Sequence, residues 1–162
     1  MVAHVTVTLR PARREDAVAM TQVARRAYAA YVPRIGGEPA PMKVDYAKTV
    51  DDGYAWVAER HDRLVGLLVL HPGEDHMMLE NVAVDPEAQG LGVGAQLLQL
   101  AEEKAHEQGL PEVRLYTNEA MTENLAYYTR RGYRETHRST QDGYHRVFFT
   151  KILASSTREP AR

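Results

Sequence analysis

The chain has no cysteine among its 162 residues. This excludes disulfide staples, a thiolate nucleophile and cysteine-ligated zinc or iron–sulfur centres. An excess of one charge is also missing. Twenty Lys and Arg face 22 Asp and Glu, a formal net charge of -2, so no global pull toward nucleic acid or an anionic membrane is expected. No apolar run approaches the roughly 18 residues of a membrane span. The opening "MVAHVTVTLRPA" alternates like a strand and lacks a signal peptide's apolar core, so a cytoplasmic location is expected. The seven histidines stand at no metal-ligand spacing, and no metal is expected.

What is present is an ordinary globular composition, 44% apolar and 26% charged, at a length suited to one domain. "HVTVTLR" (4–10) reads as a strand with Val5, Val7 and Leu9 on one face. The spacing of Met20, Val23, Ala24 and Ala27 predicts a helix over 14–29. "YVPRIGGEPAP" (31–41) reads as a loop, and a short helix is placed over 43–51. "YAWVAER" (54–60), "RLVGLLVL" (63–70) and "HMMLENVAV" (76–84) read as an antiparallel meander with turns at His61–Asp62 and 72–75. A helix over 92–108 lines up Gly94, Leu97, Leu98, Ala101 and Ala105 and stops at Gly109. A strand over 112–117 follows, then a helix over 122–131 with Thr122 as cap and Gly132 past its end. "YRETHRSTQ" and "YHRVFFTKIL" flank Asp142–Gly143 as a hairpin. Residues from 154 onward are expected to be a disordered tail. The order β-α-α-β-β-β-α-β-α-β-β describes one mixed α/β domain over 1–153.

The stretch "PEAQGLGVGAQLL" (86–98) places Gly90, Gly92 and Gly94 just where a helix begins. Three readings compete. The glycines can simply turn and cap the chain. "GLGVGA" also fits the dinucleotide pattern G-x-G-x-x-G/A, but that pattern needs a strand running straight into the turn of a parallel βαβ unit. Here residues 85–89 intervene, and no Lys-Ser/Thr follows to make a P-loop. The third reading is a backbone anion cradle, in which bare N–H groups at the positive end of a helix receive a pyrophosphate. Gln89 could add a neutral donor.

The segment "VAVDPEAQGLGVGAQLL" resembles the acyl-CoA-binding motif of the GNAT superfamily of N-acyltransferases, Gln/Arg-x-x-Gly-x-Gly/Ala after a strand ending. Gln89, Gly92 and Gly94 occupy the fixed positions. "NLAYYTRRGY" is similar to the family's later short helix, where a tyrosine stands four residues before Gly and an aromatic: here Tyr128, Gly132 and Tyr133. "LRPARREDA" resembles the family's usual start. The motifs span about 79–133, and the element order fits over about 4–151. The resemblance implies a single-domain α/β (α+β) GNAT fold, a mixed, mostly antiparallel sheet of about seven strands with flanking helices, and acetyl-CoA as co-substrate. It implies that the backbone of Val82, Ala83 and Val84 meets the pantetheine arm. It implies that the turn formed by Gln89, Gly90, Leu91, Gly92, Val93, Gly94 and Ala95 meets the pyrophosphate. It places Tyr128 near the CoA sulfur. Where the family often has Asn, seven residues before that tyrosine, this chain has Met121; Asn124, one turn before Tyr128, could replace the missing amide.

Forming an amide from a thioester needs a neutral amine, a stabilised oxyanion and a protonated leaving thiolate. An alkylamine of pKa about 10.4 is neutral in roughly one molecule per thousand at pH 7, so a base is useful. Glu80 is the candidate base, placed by strand alternation on the face of Val82 and Val84; the plain alternative is an edge carboxylate or ion pair. Tyr116 stands where some relatives carry a carboxylate. Tyr128 is the candidate acid, against the alternative of a packed aromatic, and backbone N–H groups near Val82 and Ala83 could polarise the carbonyl. At the acceptor end Tyr28, Tyr31, Arg34 and Tyr46 could line a wall. Tyr31 and Arg34 are the chosen substrate contacts, with Arg34 suited to a substrate carboxylate. His137, Tyr144 and His145 are further candidates. The expected activity is transfer of acetyl to a primary amine of a small molecule or peptide by direct attack in a ternary complex. A protein lysine or N-terminal acetyltransferase and a non-catalytic acyl-CoA sensor stay open, as does a homodimer. No nucleic-acid or membrane partner is expected.

Overall fold

The structure is a computed structural model in which residues 6–154 are described; the expectations for Val5 and for a tail beyond 154 lie outside the described residues. Seven strands are formed: β1 Thr8–Pro11, β2 Ala55–Arg60, β3 Arg63–Pro72, β4 Met77–Val84, β5 Glu112–Asn118, β6 Arg134–Gln141 and β7 Tyr144–Ile152. Five α-helices accompany them: α1 Ala17–Tyr28, α2 Val32–Ile35, α3 Tyr46–Asp51, α4 Val93–Glu107 and α5 Thr122–Arg130. The sheet order is β1-β2-β3-β4-β5-β7-β6. Every pairing is antiparallel except β4 with β5.

Turn chemistry fixes the two tightest connections. His61 and Asp62 stand at φ 52° and 59°, and Asp142 and Gly143 at φ 53° and 80°. Positive φ at both central residues gives the turn whose twist matches that of paired strands. Two expectations change. The segment read as a loop contains the one-turn helix α2, because Pro33 lies in its first turn and Gly36, at φ 83°, ends it. The residues weighed as breakers therefore act as a start and a stop. Thr122 is not the cap of α5. Met121 holds that position without a side-chain bond, and Asn118 Oδ1 steadies the approach by accepting Ala120 N–H at 2.9 Å.

The sheet separates two cores. On one side Leu97, Leu98, Ala101 and Ala105 of α4 and Tyr128 of α5 pack on Leu68, Leu70, Leu79, Leu115 and Phe149. On the other, Met20, Val23 and Ala24 of α1 and Tyr46 of α3 pack on Val57, Leu67, Val69 and Ala83. A buried ion cluster pins the start of α1 to the sheet edge. Arg10 donates to both oxygens of Asp16 at 2.8 and 2.9 Å and also reaches Glu59.

Candidate active site

The glycine turn answers its question residue by residue. Gly90 and Gly92 sit in left-handed backbone, φ 79° and 85°, which costs an L-residue roughly 1–2 kcal/mol. Nothing lies within 4 Å of where a Cβ on Gly90 would stand, so that side of the turn is open. Gly94 is needed for closeness instead: its Cβ would meet Tyr127 Oη at 3.1 Å. The first bond of the helix end runs from Gln96 N–H to Gly92 C=O, so the amides of Val93, Gly94 and Ala95 precede any helical acceptor. Gln89 Nε2 donates to Val84 C=O at 3.2 Å, tying the turn to the strand before it, and the residue lines a long groove. Asp85 caps that connection through Oδ1 to Glu87 N–H at 3.0 Å and is held by Arg26 of α1 at 3.3 Å.

The strand that feeds the turn is half unpaired. β4 and β5 pair only from Met77–Val113 to Leu79–Leu115, although β4 continues to Val84 and β5 to Asn118. A gap opens between them. Asp85 N–H donates to Val65 C=O at 2.8 Å, so by antiparallel alternation the N–H and C=O of Val82 and Val84 face away from β3, into the gap. Ala83 turns its backbone toward Leu67 instead, and its side chain joins the α1 core. All three residues of the tripeptide line the same groove; Val82 and Val84 turn their backbone into the gap, where the Val82 C=O accepts from Tyr28 Oη and the Val84 C=O from Gln89 Nε2.

Strand alternation fails at Glu80. Val69 pairs with Asn81 and Leu70 with Leu79, leaving Glu80 as the extra residue of a bulge. Leu79 and Val82 therefore both face α4, whereas Asn81 and Ala83 face α1. Glu80 is not on the face of Val82 and Val84. Its carboxylate lies on the α1 side, bonded to His71 across β3 and close enough to Tyr46 to raise that phenol's pKa beyond the effect of burial. Asn81 is buried and forms the hub of a polar chain. Tyr28 Oη donates to Asn81 Oδ1 at 3.0 Å and reaches Val82 C=O at 3.1 Å. Asn81 Nδ2 donates to Tyr46 Oη at 2.8 Å, and Tyr46 Oη donates to Pro41 C=O at 2.7 Å. His71 and Asn81 were not singled out in the sequence. A polar residue in the apolar run "LENVAV" was the one available hint; the bulge that pairs Glu80 with His71 left none.

Two clefts meet at this gap. The long groove runs past Gln89, Gly90, Gly92–Ala95, Val82–Val84, Asn124, Tyr127 and Tyr128, while Leu91 packs against the α4-side core. A narrow pocket of about 110 Å³ opens on the opposite side, walled by Pro39–Pro41, Val44, Tyr116, Tyr144 and Arg146. Tyr28, Val82, Asn124 and Tyr128 line both, and Glu80 lines the pocket. Tyr128 is buried, packed edge-on against Tyr127 and Tyr133 and tilted on Phe149. Burial, with the nearby Tyr127 and Tyr31, pushes its hydroxyl pKa up, so it carries its proton at neutral pH. Asn124 Nδ2 donates to Thr117 Oγ1 at 3.3 Å and lies 3.5 Å from the Met121 sulfur. Tyr31 and Arg34 line the groove and not the pocket. Arg34 pairs at the surface with Glu123, both of whose carboxylate oxygens lie 2.8 Å from one guanidinium nitrogen. Glu123 is held below the usual carboxylate range by its own backbone N–H and by Arg34.

A seven-stranded mixed sheet that splays beside a glycine-rich helix start is the architecture of the acyl-CoA-dependent N-acyltransferases. Residues 19–133 match the model of the "Acetyltransferase (GNAT) family", and the chain belongs to that family. Among curated relatives it is 32% identical over 83 residues to an uncharacterised protein, YxbD, of Bacillus subtilis, covering 51% of this chain and 50% of that protein. It is 36% identical over 88 residues to a mycothiol acetyltransferase of Thermomonospora curvata, covering 51% of this chain and 28% of that protein. The chain thus spans half or less of these relatives' length. The fold is that of the PaiA N-acetyltransferase of Thermoplasma acidophilum, solved with coenzyme A, at TM-score 0.75 and 18% identity over 92% of this chain and 100% of that one.

Proposed function

We propose that the protein is an acetyl-CoA-dependent N-acetyltransferase acting on a small primary amine. The observation that carries this reading is the meeting of the groove and the pocket at Tyr128, Val82 and Asn124. The groove fits coenzyme A. The open left-handed turn at Gly90 and the helix-start amides of Val93, Gly94 and Ala95 suit a pyrophosphate, and the backbone of Val82 and Val84 suits the amides of an extended arm. Bound there, acetyl-CoA supplies an electrophilic carbonyl and a thiolate leaving group.

The chain's own residues supply the rest. Glu80, beside the pocket, takes a proton from the bound ammonium so that the nitrogen lone pair can attack the acyl carbon, and the nitrogen gives its second proton to solvent as the amide forms. Val82 N–H, unpaired in the gap, polarises the carbonyl as the oxyanion develops. Tyr128 gives its phenolic proton to the sulfur as the carbon–sulfur bond breaks, and is reprotonated from solvent. The narrow pocket, below the roughly 300–1,000 Å³ of drug-sized sites, admits a small amine or the tip of a larger one. Thiol release from acetyl-CoA, measured over a panel of primary amines, tests the proposal. Amine-dependent release with formation of the matching acetamide is expected. Tight CoA binding without release on any amine would leave a sensor in its place.

A further inference from the structure

The pocket carries two formal charges, and they are of opposite sign. Glu80 is one and Arg146 of β7 is the other. Arg146 is the one arginine among the residues that line this pocket. Its hydrogen bond goes to a neutral amide, Gln141 Oε1, at 2.8 Å, and among the described residues it has no carboxylate partner. Its guanidinium lies 4.3 Å from the centre of the Tyr116 ring and 5.8 Å from that of Tyr144. Both rings belong to the pocket wall, so the cation lies against aromatic faces at the pocket's lining. Tyr144 is itself tethered across the mouth, donating to Glu38 C=O at 2.9 Å and accepting from Lys43 Nζ at 3.3 Å.

From this geometry we infer that the acceptor is an amino acid-like molecule: a primary amine on an apolar or aromatic body whose carboxylate is held by Arg146. This rests on the proposed acetyl transfer and names its substrate class. The amine end points to Glu80 and Tyr128, where the pocket joins the groove. The remaining lining is apolar or aromatic at Pro39, Pro41, Val44, Val69 and Leu79, which suits the body between the two ends. An unpaired guanidinium between tyrosine rings attracts a planar anion, and a carboxylate accepts two of its N–H groups at once. The role that the sequence offered to Arg34 thereby passes to Arg146, because Glu123 occupies Arg34 and nothing of like charge occupies Arg146.

The test uses matched acceptors with and without the carboxylate: phenylalanine and phenethylamine, 4-(aminomethyl)benzoate and benzylamine, 5-aminopentanoate and pentylamine. At least one carboxylate member is expected to exceed its neutral partner in kcat/KM by tenfold or more. R146Q should cost that member at least ten times more than its partner, R146K should restore part of the preference, and R146E should shift it toward a diamine. A second readout needs no turnover. With coenzyme A present, 3-phenylpropanoate and benzoate, titrated against wild type and R146Q and followed by NMR, should bind the wild type at least tenfold better. Equal binding to the two proteins, or equal losses for both members of every pair, overturns the inference. Acetylation of neutral amines alone overturns it while leaving the transferase reading intact. Carboxylate binding through Arg146 with no transfer to any amine upholds the anion site and sinks the transferase reading.

Discussion

At the residue scale, the roles proposed for Tyr128 and Glu80 are separable by experiment, because one protonates the leaving sulfur and the other takes a proton from the amine. Tyr128→Phe removes one oxygen from a buried, ring-packed side chain that keeps its contacts. Turnover should fall by roughly 10²–10⁴-fold while the CoA dissociation constant stays within about twofold. Turnover near that of wild type would show that solvent protonates the thiolate. Glu80→Gln keeps the size of the side chain and removes the base. Its loss of rate should be largest at low pH, where the amine is almost wholly protonated, and should shrink as pH approaches an amine pKa of about 10. A loss independent of pH from 6 to 10 would reduce Glu80 to a structural partner of His71.

At the element scale, the start of α4 and the helix α5 are packed against one another through Gly94 and Tyr127. A methyl on residue 94 must displace the tyrosine hydroxyl, which lies 3.1 Å from its position. Gly94→Ala should therefore destabilise the fold less in a Tyr127→Phe background than in the wild type. The coupling in a double-mutant cycle of urea unfolding should be about 0.5–1 kcal/mol. Additive effects would mean that the two helices do not meet as described. Through the same contact Tyr127 sets the distance between the glycine turn and the tyrosine beside it.

At the scale of the whole molecule, stability should fall in acid through Asp16. Hydrogen bonds from Arg10, followed by the Arg13 backbone N–H, hold its carboxyl below the usual range. Because the folded pKa lies under the unfolded value of about 3.9, the contribution is complete above that pH and is lost as pH falls through the folded value. Asp16→Asn should cost about 2 kcal/mol at pH 7 and flatten the acid limb of the stability curve below about pH 4. Chemical denaturation at pH 7 and at successive steps below pH 4 gives the answer; an acid limb as steep as wild type would assign the effect to other carboxylates. The cluster joins β1, β2 and the approach to α1, so its loss reaches the whole α1 side of the sheet.

The sequence by itself determined the strands, the longer helices, their order and the family. Periodicity, positive-φ turn residues and two spaced motifs act over a few residues, and local sterics suffice to read them. Gly90 and Gly92 were legible for that reason, as were the hairpin at Asp142–Gly143 and the helix holding Tyr128. Tertiary structure alone decided the site's inner geometry. The bulge at Glu80 flips which side chains share a face, and strand alternation cannot foresee an extra residue whose cause lies in the pairing of β3 with β4. The partners of Asn81, Gln89, Arg34 and Arg146 are likewise set by which element folds beside which, as Arg34 with Glu123 shows across 89 residues of chain. Charge neutralisation across such distances leaves no local trace, which is why the sequence does not show that Arg34 pairs with Glu123 while Arg146 lines the pocket without a carboxylate partner among the described residues.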